Sequence, residues 1–508
     1  MHTDELRLCL ESPEKARAFL FDWDVSDFER GKSNIEQMAN VLGLDGLNEL
    51  CHPLARLLPR CADPDMALNN LERFLTNAGP SIVSTLMESR ARTLETLLQL
   101  FSSSQFFSDL LVTHPDYLEM LRIPLRSSPS RAEMLAQLRH EVRGSYEDAG
   151  ILRAFRRFRQ KHLLRIGAND IIRDRPLEEI TRDISRVADT SLEVALETAL
   201  ASVGQRFGEP FTKAGVPARC AILGFGKLGG KELNYSSDID LMFLYDEEGA
   251  TVGTRIAGIT NDDFFARVCT EVVRLLSANT DDGQGYRVDL RLRPEGHRGP
   301  LARSLASTLN YYDTMGRTWE RQALIKVRPV AGNAKLGEEF LKAIEPFVYR
   351  KYLSVAEIHE IKALKRKIEH KSGPHGESET EVKTGHGGIR DVEFTIQFLQ
   401  LSNGGDLPDI RQPNTLKAMR ALEKVGCLTD PEYRVLDDAY RFLRKVEHRL
   451  QLMFDTQTHK LPERSDELRK LALRMGYTVA RPAKASDDSA FPPSPLRERG
   501  AGGEGAVP

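Results

Sequence analysis

Two aspartates stand close together at the start of an apolar segment. Asp238 and Asp240 open the run 241–245, which is typical of a buried β-strand. Residues two apart on a strand point to the same side, so the two carboxylates face one side together. They repel each other and lose hydration unless a cation lies between them. The pattern predicts a site for a divalent cation such as Mg²⁺, which binds oxygen ligands and substrate phosphates; the plainer interpretation is a surface Asp-x-Asp pair beside a tight turn.

A third carboxylate, Asp289, lies in a segment of strict polar and apolar alternation, Tyr286–Arg293. We expect this segment to be a strand on which Asp289, Arg291 and Arg293 share one face. Two interpretations of Asp289 are open. It forms a structural salt bridge with the arginines, or it completes a three-carboxylate metal site in which the guanidinium groups bind phosphate oxygens. Two-metal phosphoryl or nucleotidyl transfer needs carboxylates for the metals and positive groups for the phosphate charge.

A glycine-rich loop precedes the paired aspartates. The segment 224–230, GFGKLGG, satisfies the pattern G-x-G-x-x-G. A dinucleotide-binding fold needs a long helix directly after this loop, and the segment 231–237 is too short and too rich in poor helix formers to supply one. A P-loop is disfavoured because no Lys-Ser or Lys-Thr follows at the required spacing. The loop can still offer backbone N–H groups to a phosphate, and Ser236 and Ser237 can offer hydroxyls.

The elements that must position these residues follow from periodicity and composition. We divide the chain into an N-terminal helical region, a second helical segment, a strand-containing region, a helical domain and a disordered Pro/Gly-rich tail, at residues 1–130, 131–218, 219–350, 351–480 and 481–508 respectively. The second segment includes a basic amphipathic helix over Ile151–Arg165, whose charges form a solvated face or bind phosphate. The third region holds the candidate site.

The overall composition bounds the class of protein. The chain has 508 residues, and 71 Lys and Arg against 74 Asp and Glu leave a net charge of −3. This balance argues against a dedicated nucleic-acid-binding protein, whose mark is a strongly basic charge. No apolar run approaches the ~18 residues that a membrane helix needs, no signal peptide is evident, and six cysteines without a C-x-x-C pair indicate neither disulfides nor zinc. We expect a soluble cytoplasmic protein with no nucleic-acid or membrane partner.

Four longer motifs extend the pattern around these residues. They read GFGKLGGKELNYSSDIDLMFLY, YRVDLRLRPEGHRGPLARS, GRTWERQALIKVRPVAG and KTGHGGIRDVEF. In this order and spacing they resemble the glutamine synthetase adenylyltransferase family, whose members adenylylate a tyrosine of glutamine synthetase and also remove the AMP by phosphorolysis. The resemblance extends over residues 70–468. It implies an α+β, mostly helical fold, with a polymerase-β-like nucleotidyltransferase palm flanked by helical domains.

The resemblance also implies roles for individual residues. The catalytic and metal-binding carboxylates of the family fall on Asp238, Asp240 and Asp289, with Mg²⁺ as the cofactor. The superfamily places a Gly-Gly or Gly-Ser pair shortly before the paired acids, and segment 226–227 or segment 229–230 fills that place. Nucleotide or phosphate binding is therefore predicted for a wider set, Gly226, Lys227, Gly229, Gly230, Ser236, Ser237, Arg291 and Arg293. His386 and His459 lie in matching motifs and receive no role.

Family members resemble two such halves in tandem, and this chain has one. Its versions of two motifs, SSDID and WERQAL, look like those of the half that removes AMP. The resemblance thus points to phosphorolysis, in which phosphate attacks adenylylated glutamine synthetase and ADP is released. The alternatives are transfer of AMP from ATP to glutamine synthetase, a catalytically silent glutamine-synthetase-binding or truncated regulatory fragment, and a nucleotidyltransferase for RNA or a small molecule. A nitrogen-signalling regulatory protein is a further expected partner.

Overall fold

The structure is a computed structural model, and the residues that it describes are 12–88, 91–122, 128–145, 147–253, 258–351, 355–360, 363, 380–454 and 458–477. The predicted disordered tail, 481–508, lies outside the described residues. Most of the segment 352–379, at the start of the predicted helical domain, also lies outside them.

Helices build the first part of the molecule. In chain order they are α1 Pro13–Asp22, α2 Phe28–Leu57, α3 Pro64–Asn77, α4 Pro80–Glu88, α5 Ala91–Ser103, α6 Gln105–Thr113, α7 Leu118–Arg122, α8 Arg131–Arg143, α9 Asp148–Arg173 and α10 Leu177–Phe207. Polar side chains fix several of their starts, because Asp63, Ser104 and Ser130 each accept a hydrogen bond from a backbone N–H in the first turn. The apolar faces of these helices meet in one core, which includes Trp23 and Phe101.

The strands form two small sheets. They are β1 Glu209–Thr212, β2 Cys220–Gly224, β3 Ile239–Tyr245, β4 Gly249–Val252, β5 Val288–Asp289, β6 Ala302–Ser304 and β7 Arg328–Gly332. β1 and β4 pair with each other, and the larger sheet has the order β5-β3-β2-β7, with β6 also paired to β3. β2 runs antiparallel to β3 and β7, whereas β5 and β6 run parallel to β3.

The two central strands are apolar because both faces of the larger sheet are covered. The helices that lie between or directly after these strands in the chain are α11 Gly226–Gly229, α12 Asn261–Ser277, α13 Leu305–Thr314, α14 Thr318–Leu324 and α15 Ala334–Val348. Alternate side chains of β2 and β3 enter different cores. Ile222 and Phe243 join the core of the N-terminal helices and α12, while Leu223 and Met242 pack with Phe340 of α15.

The basic helix predicted from the sequence is part of α9, and its arginines bind the region of strands directly. Arg156 is fully buried, and its guanidinium group donates to the carbonyl oxygens of Leu275 and Ala278 at the end of α12. Arg159 donates to the carbonyl oxygen of Tyr235 at 3.0 Å. Carbonyl groups at the end of a helix lack hydrogen-bond donors within their own helix, and Arg156 provides donors for these two. The side chains of Arg156 and Arg159 therefore bind backbone carbonyl oxygens, and they neither form a solvated face nor contact a phosphate.

One predicted strand is much shorter in the structure. The alternation over Tyr286–Arg293 predicted a continuous strand, but only the two residues of β5 pair with β3. The chain turns directly after Asp289, because the backbone N–H of Arg291 donates to the Asp289 carboxylate at 2.8 Å. The N–H of Arg293 then donates to the carbonyl oxygen of Leu290. Asp289 and the two arginines therefore do not share a strand face.

The last helices form a further core and reach back to the first. They are α16 Ile389–Asn403, α17 Thr415–Lys424, α18 Asp430–Phe454 and α19 Ser465–Arg474. Arg474 of α19 donates to the carbonyl oxygen of Ser102 in α5 at 2.7 Å, and Lys470 pairs with Asp63 at 2.9 Å. The molecule is a mostly helical α+β protein, so the predicted fold class is confirmed. None of the described helices is both long and apolar enough to cross a membrane.

Candidate active site

Three carboxylates meet at one end of the larger sheet. Asp240 lies near the start of β3, Asp289 ends β5, and the parallel register pairs the two residues directly. Asp238 immediately precedes β3. The backbone N–H of Ile239 donates to the carbonyl oxygen of Arg287 at 2.9 Å, which fixes the alignment of the two strands. Pairing between strands that are distant in sequence thus builds the acidic cluster.

Electrostatic repulsion is strongest at Asp240. Burial and the neighbouring carboxylates of Asp289 and Asp238 raise the pKa of Asp240 to about 7, and the charges of Arg291 and Lys383 offset this only in part. Burial and like charges both disfavour the ionised carboxylate. A divalent cation beside Asp240 would remove the repulsion and hold the carboxylate in its charged form.

An arginine engages each of the two outer carboxylates. Arg287 donates through Nε to Oδ1 of Asp238 at 2.6 Å. Arg291 donates through its backbone N–H to Oδ1 of Asp289 at 2.8 Å and through Nε to Oδ2 at 2.7 Å. Burial opposes ionisation of Asp289, but the hydrogen bonds from Arg291 outweigh it and lower the pKa of Asp289. The Arg291 side chain is largely exposed, at 63%, so it can also reach a bound anion.

The two segments that could correspond to the Gly-Gly or Gly-Ser pair, 226–227 and 229–230, have different surroundings in the structure. Gly226 has a φ of +52°, and a Cβ atom there would lie 2.8 Å from Oδ2 of Asp240. The N–H of Phe225 donates to the backbone carbonyl oxygen of Asp240 at 2.9 Å. Gly229 and Gly230 instead face the backbone carbonyl oxygens of Lys326 and Pro413. Segment 226–227 therefore lies beside the carboxylates, whereas segment 229–230 contacts other parts of the chain.

Lys227 is placed away from the acidic cluster. Its ammonium group pairs with Glu447 of α18 at 2.8 Å, in a buried position. Burial lowers the pKa of Lys227 to about 8, although Glu447 acts in the opposite direction. His459 also contacts Glu447, at 3.2 Å from Nδ1. Lys227 thus joins α11 to the C-terminal helices.

The two serines before Asp238 stand at the edge of the cluster. The backbone N–H of Ser236 donates to Oε1 of Gln451 at 3.1 Å, and Oγ of Ser237 accepts from the N–H of Asn234 at 3.3 Å. Both serines are half-buried. Their contacts shape the turn into β3.

Arg293 holds the turn after β5 together. It is 7% exposed, and its guanidinium group donates to the carbonyl oxygens of Leu290 at 2.7 Å, Gly299 at 2.9 Å and Pro300 at 3.0 Å. Each of these bonds satisfies a backbone group that burial would otherwise leave unpaired. In this position Arg293 supports the chain segment that carries Asp289 and Arg291.

Sequence reasoning missed two charged residues at the site. Arg287 stands two residues before Asp289 in the same alternating segment, and this spacing is the sequence signal that could have indicated it. Lys383 lies in the motif KTGHGGIRDVEF, and its positive charge reaches Asp240. Nothing near Lys383 in sequence predicts this proximity, because the fold brings it from the start of the last group of helices.

The acidic cluster fits a metal that arrives with its substrate. Among the residues that the structure describes, no three acidic, histidine or cysteine side chains stand close enough together to hold a metal ion alone. Mg²⁺ is usually held by one or two carboxylates together with substrate phosphates. The half-buried, mutually repelling carboxylates of the cluster would offer such a partial set of hard oxygen ligands.

Comparisons with known proteins agree with this chemistry. Residues 94–343 match the family model described as glutamate-ammonia ligase adenylyltransferase, and residues 361–489 match the model described as GlnD PII-uridylyltransferase. Both descriptions name enzymes that transfer nucleotidyl groups, and the fold and site define that class, the nucleotidyltransferases. Within it, the chain belongs to the glutamate-ammonia ligase adenylyltransferase family.

Similar curated proteins carry one shared name, bifunctional glutamine synthetase adenylyltransferase/adenylyl-removing enzyme. The one from Hahella chejuensis is 37% identical over 386 residues, which are 75% of this chain and 40% of the relative. The one from Pseudomonas aeruginosa is 36% identical over 436 residues, 85% of this chain and 44% of the relative. The chain thus spans less than half the length of these curated relatives.

Proposed function

We propose that this chain catalyses magnesium-dependent removal of AMP from an adenylylated tyrosine of glutamine synthetase. In this reaction an oxygen of inorganic phosphate attacks the phosphorus of the AMP group. The bond from phosphorus to the tyrosine oxygen breaks, ADP leaves, and the tyrosine oxygen takes up a proton. The observation that carries the proposal is the direct pairing of Asp240 with Asp289 on adjacent strands, with Gly226 against the Asp240 carboxylate.

Each residue of the cluster has a distinct task in this proposal. Asp238 and Asp240 hold Mg²⁺, and Asp289 completes the site or orients the attacking oxygen. When bound, the metal neutralises phosphate charge and aligns the reacting groups. Arg291, which is exposed and already close to Asp289, binds phosphate oxygens as charge builds up in the transition state. In this proposal, backbone N–H groups near Gly226 bind a further phosphate oxygen.

The proposed substrate implies the partners. Glutamine synthetase is the protein substrate, phosphate and ADP are the small-molecule substrate and product, and the location is that of the synthetase, the cytoplasm. The match of residues 361–489 to a PII-uridylyltransferase model supports a nitrogen-signalling protein of the PII type as a regulatory partner. The curated relatives are named for both directions of adenylyl transfer, so AMP transfer from ATP to glutamine synthetase is the second candidate.

A pair of reactions tests the proposal. The purified chain is incubated with adenylylated glutamine synthetase, MgCl₂ and phosphate, and ADP release is followed. A parallel reaction contains unmodified synthetase and ATP, and AMP incorporation is followed. We expect ADP in the first reaction and no incorporation in the second. AMP incorporation without ADP release would reverse the assigned direction, and silence in both reactions from folded protein would favour a catalytically silent binding fragment.

The Asp240→Asn variant tests the assignment of the site. We expect it to lose ADP release by about 10²–10³-fold, because removing one oriented group in an active site has effects of this size. The matched control is Asp263→Asn, which removes an exposed carboxylate in the first turn of α12 and should retain full activity. Retained activity in Asp240→Asn would contradict the proposed role of the cluster.

A further inference from the structure

A second charged cavity lies at the other end of α11 from the carboxylates. It has a volume of about 220 Å³ and lies between the first turn of α10, the segment after α11, and helices α17 and α18. Six charged side chains line it: Glu178, Arg182, Lys231, Lys417, Arg420 and Arg441. We propose that this cavity binds a phosphate-bearing anion, a role separate from the reaction proposed for the carboxylates and independent of it.

Positive charge in the cavity exceeds negative charge by a wide margin. Its one acidic side chain, Glu178, is engaged by Arg441 at 2.7 Å. Arg182, Lys231 and Lys417 form no salt bridge within 4.0 Å with any residue that the structure describes. Clustered cations without counter-charges repel each other, and an anion that binds among them gains charge-assisted hydrogen bonds.

Lys231 takes an unusual backbone conformation at the mouth of the cavity. Its φ is +56°, a left-handed value that a residue with a side chain rarely adopts. Partial loss of hydration, together with the charges of Arg328 and Lys417, lowers the pKa of the Lys231 ammonium, although Asp189 acts in the opposite direction. Asp189 itself is committed to Arg328, at 2.8 Å. The left-handed backbone conformation thus holds Lys231 at a place where its positive charge is unfavourable until an anion binds.

The start of α17 forms one wall of the cavity. Oδ1 of Asn414 accepts from the N–H of Lys417 at 3.0 Å, and Nδ2 of Asn414 donates to the carbonyl oxygen of Gly230 at 3.0 Å. Asn414 therefore ties the first turn of α17 to the wall that carries Lys231. The first backbone N–H of α17, at Thr415, already donates to the buried carboxylate of Glu232, so the positive charge of the cavity comes from its lysines and arginines.

The lining also indicates which part of a ligand is recognised. None of the described residues that line the cavity is aromatic, so a nucleobase finds no ring on which to stack. The cavity shares no lining residue with the carboxylate cluster. Gly226 touches Asp240 at one end of α11, and Gly230 forms part of the cavity at the other end. The ligand class is therefore the phosphate group itself, free or carried on a small organic molecule.

Calorimetric titration of the full chain tests the proposal. Pyrophosphate and glucose 6-phosphate are titrated in separate arms, with EDTA present so that metal-dependent binding at the carboxylates is silent. We expect saturable binding to one site, with Kd weakened at least tenfold in the Lys231→Gln/Lys417→Gln double variant. Tighter binding of pyrophosphate identifies an inorganic source and tighter binding of the sugar phosphate an organic one, and both support the site.

A matched control separates a built site from general charge attraction. Lys335→Gln/Lys342→Gln removes the same charge from two exposed positions of α15 that lie outside the cavity lining. Unchanged binding in this control, with loss in the cavity variant, supports the proposal. Equal loss in both variants, unchanged binding in the cavity variant, or no saturable binding by the unaltered chain would overturn it. All four lysines are exposed, so each variant is expected to fold, which circular dichroism checks.

Discussion

Asp240 carries the main electrostatic conflict in the molecule. It is half-buried beside β5 and faces two other carboxylates, and the charges of Arg291 and Lys383 offset this repulsion only in part. Folding therefore places a carboxylate where ionisation is costly, and the cost is removed when a cation binds. Strained or repelling groups of this kind concentrate at functional sites.

This conflict predicts a pH-dependent gain in stability for Asp240→Asn. The folded pKa of about 7 lies above the ordinary unfolded value near 4. The destabilising effect of ionisation is therefore absent below pH 4, grows as the pH rises, and is complete above pH 7. In EDTA at pH 8 we expect the variant to unfold with a free energy about 2–4 kcal/mol higher than the unaltered chain, and at pH 4 to match it.

Chemical denaturation at the two pH values measures this difference. Added MgCl₂ at pH 8 should stabilise the unaltered chain more than the variant, which lacks one of the proposed ligands. An Asp240→Asn variant that is less stable than the unaltered chain at pH 8 would show that the carboxylate is favourably compensated by groups other than a metal.

Single residues also show how far sequence reasoning reaches. The spacing of Asp238 and Asp240 at the start of an apolar run predicts β3 and a shared acidic cluster, because both follow from strand geometry and local repulsion. The contacts of Lys227 and Arg293 could not be predicted in the same way. The partner of Lys227 is Glu447 in a distant helix, and Arg293 binds carbonyl oxygens exposed by a turn that the alternating pattern hides.

At the scale of elements, α11 connects several parts of the molecule in one short turn. Its first glycine touches Asp240, Lys227 reaches α18, and its last glycine packs against the backbone at Lys326. The glycine-rich sequence suggested backbone contacts with phosphate. In the structure the glycines also permit close approach of neighbouring chain segments, which a larger residue would prevent.

Gly229→Ala should therefore destabilise the protein strongly. A Cβ atom at this position would lie 1.8 Å from the carbonyl oxygen of Lys326 and 2.7 Å from that of Gly224. Backbone cannot move aside as a side chain can, so we expect the free energy of unfolding to fall by about 3 kcal/mol. Urea denaturation measures the change.

Gly79→Ala provides the matched control, because a Cβ atom there meets nothing within 4 Å. This position precedes α4, and alanine at a helix start in place of glycine should alter the free energy of unfolding by less than about 1 kcal/mol. A Gly229→Ala variant as stable as this control would contradict the tight packing of α11.

At the scale of the whole molecule, the last helix closes onto the first group of helices. The side chain of Arg474 is 2% exposed, and it donates twice to the carbonyl oxygen of Ser102, at 2.7 and 3.2 Å. Lys470 pairs with Asp63 beside it. The N-terminal helical region and the C-terminal helical domain, which the sequence suggested as separate units, thus share buried contacts. Sequence periodicity could identify each helix but not this contact, because the arginine's carbonyl partner has no side-chain signature.

Arg474→Ala should weaken this closure. It leaves a buried carbonyl oxygen without its donor and removes the packed arginine stem, so we expect the free energy of unfolding to fall by about 2 kcal/mol. The control is Arg464→Ala, whose side chain is 78% exposed and pairs with a neighbouring aspartate; exposed pairs contribute about 0–1 kcal/mol. Thermal and urea denaturation compare the two variants. Equal stability of both would show that α19 contributes little to the closure.

The order of strands in the larger sheet has a consequence for how the protein is made. During synthesis β2 and β3 emerge first and can pair at once, but β5, β6 and β7 follow only after α12. Until β7 is released, β2 presents an unpaired edge of apolar strand, the kind of surface on which nascent chains associate with one another. The acidic cluster is likewise incomplete until Asp289 arrives. A growing chain therefore passes through an interval in which it exposes an apolar strand edge and carries no assembled site.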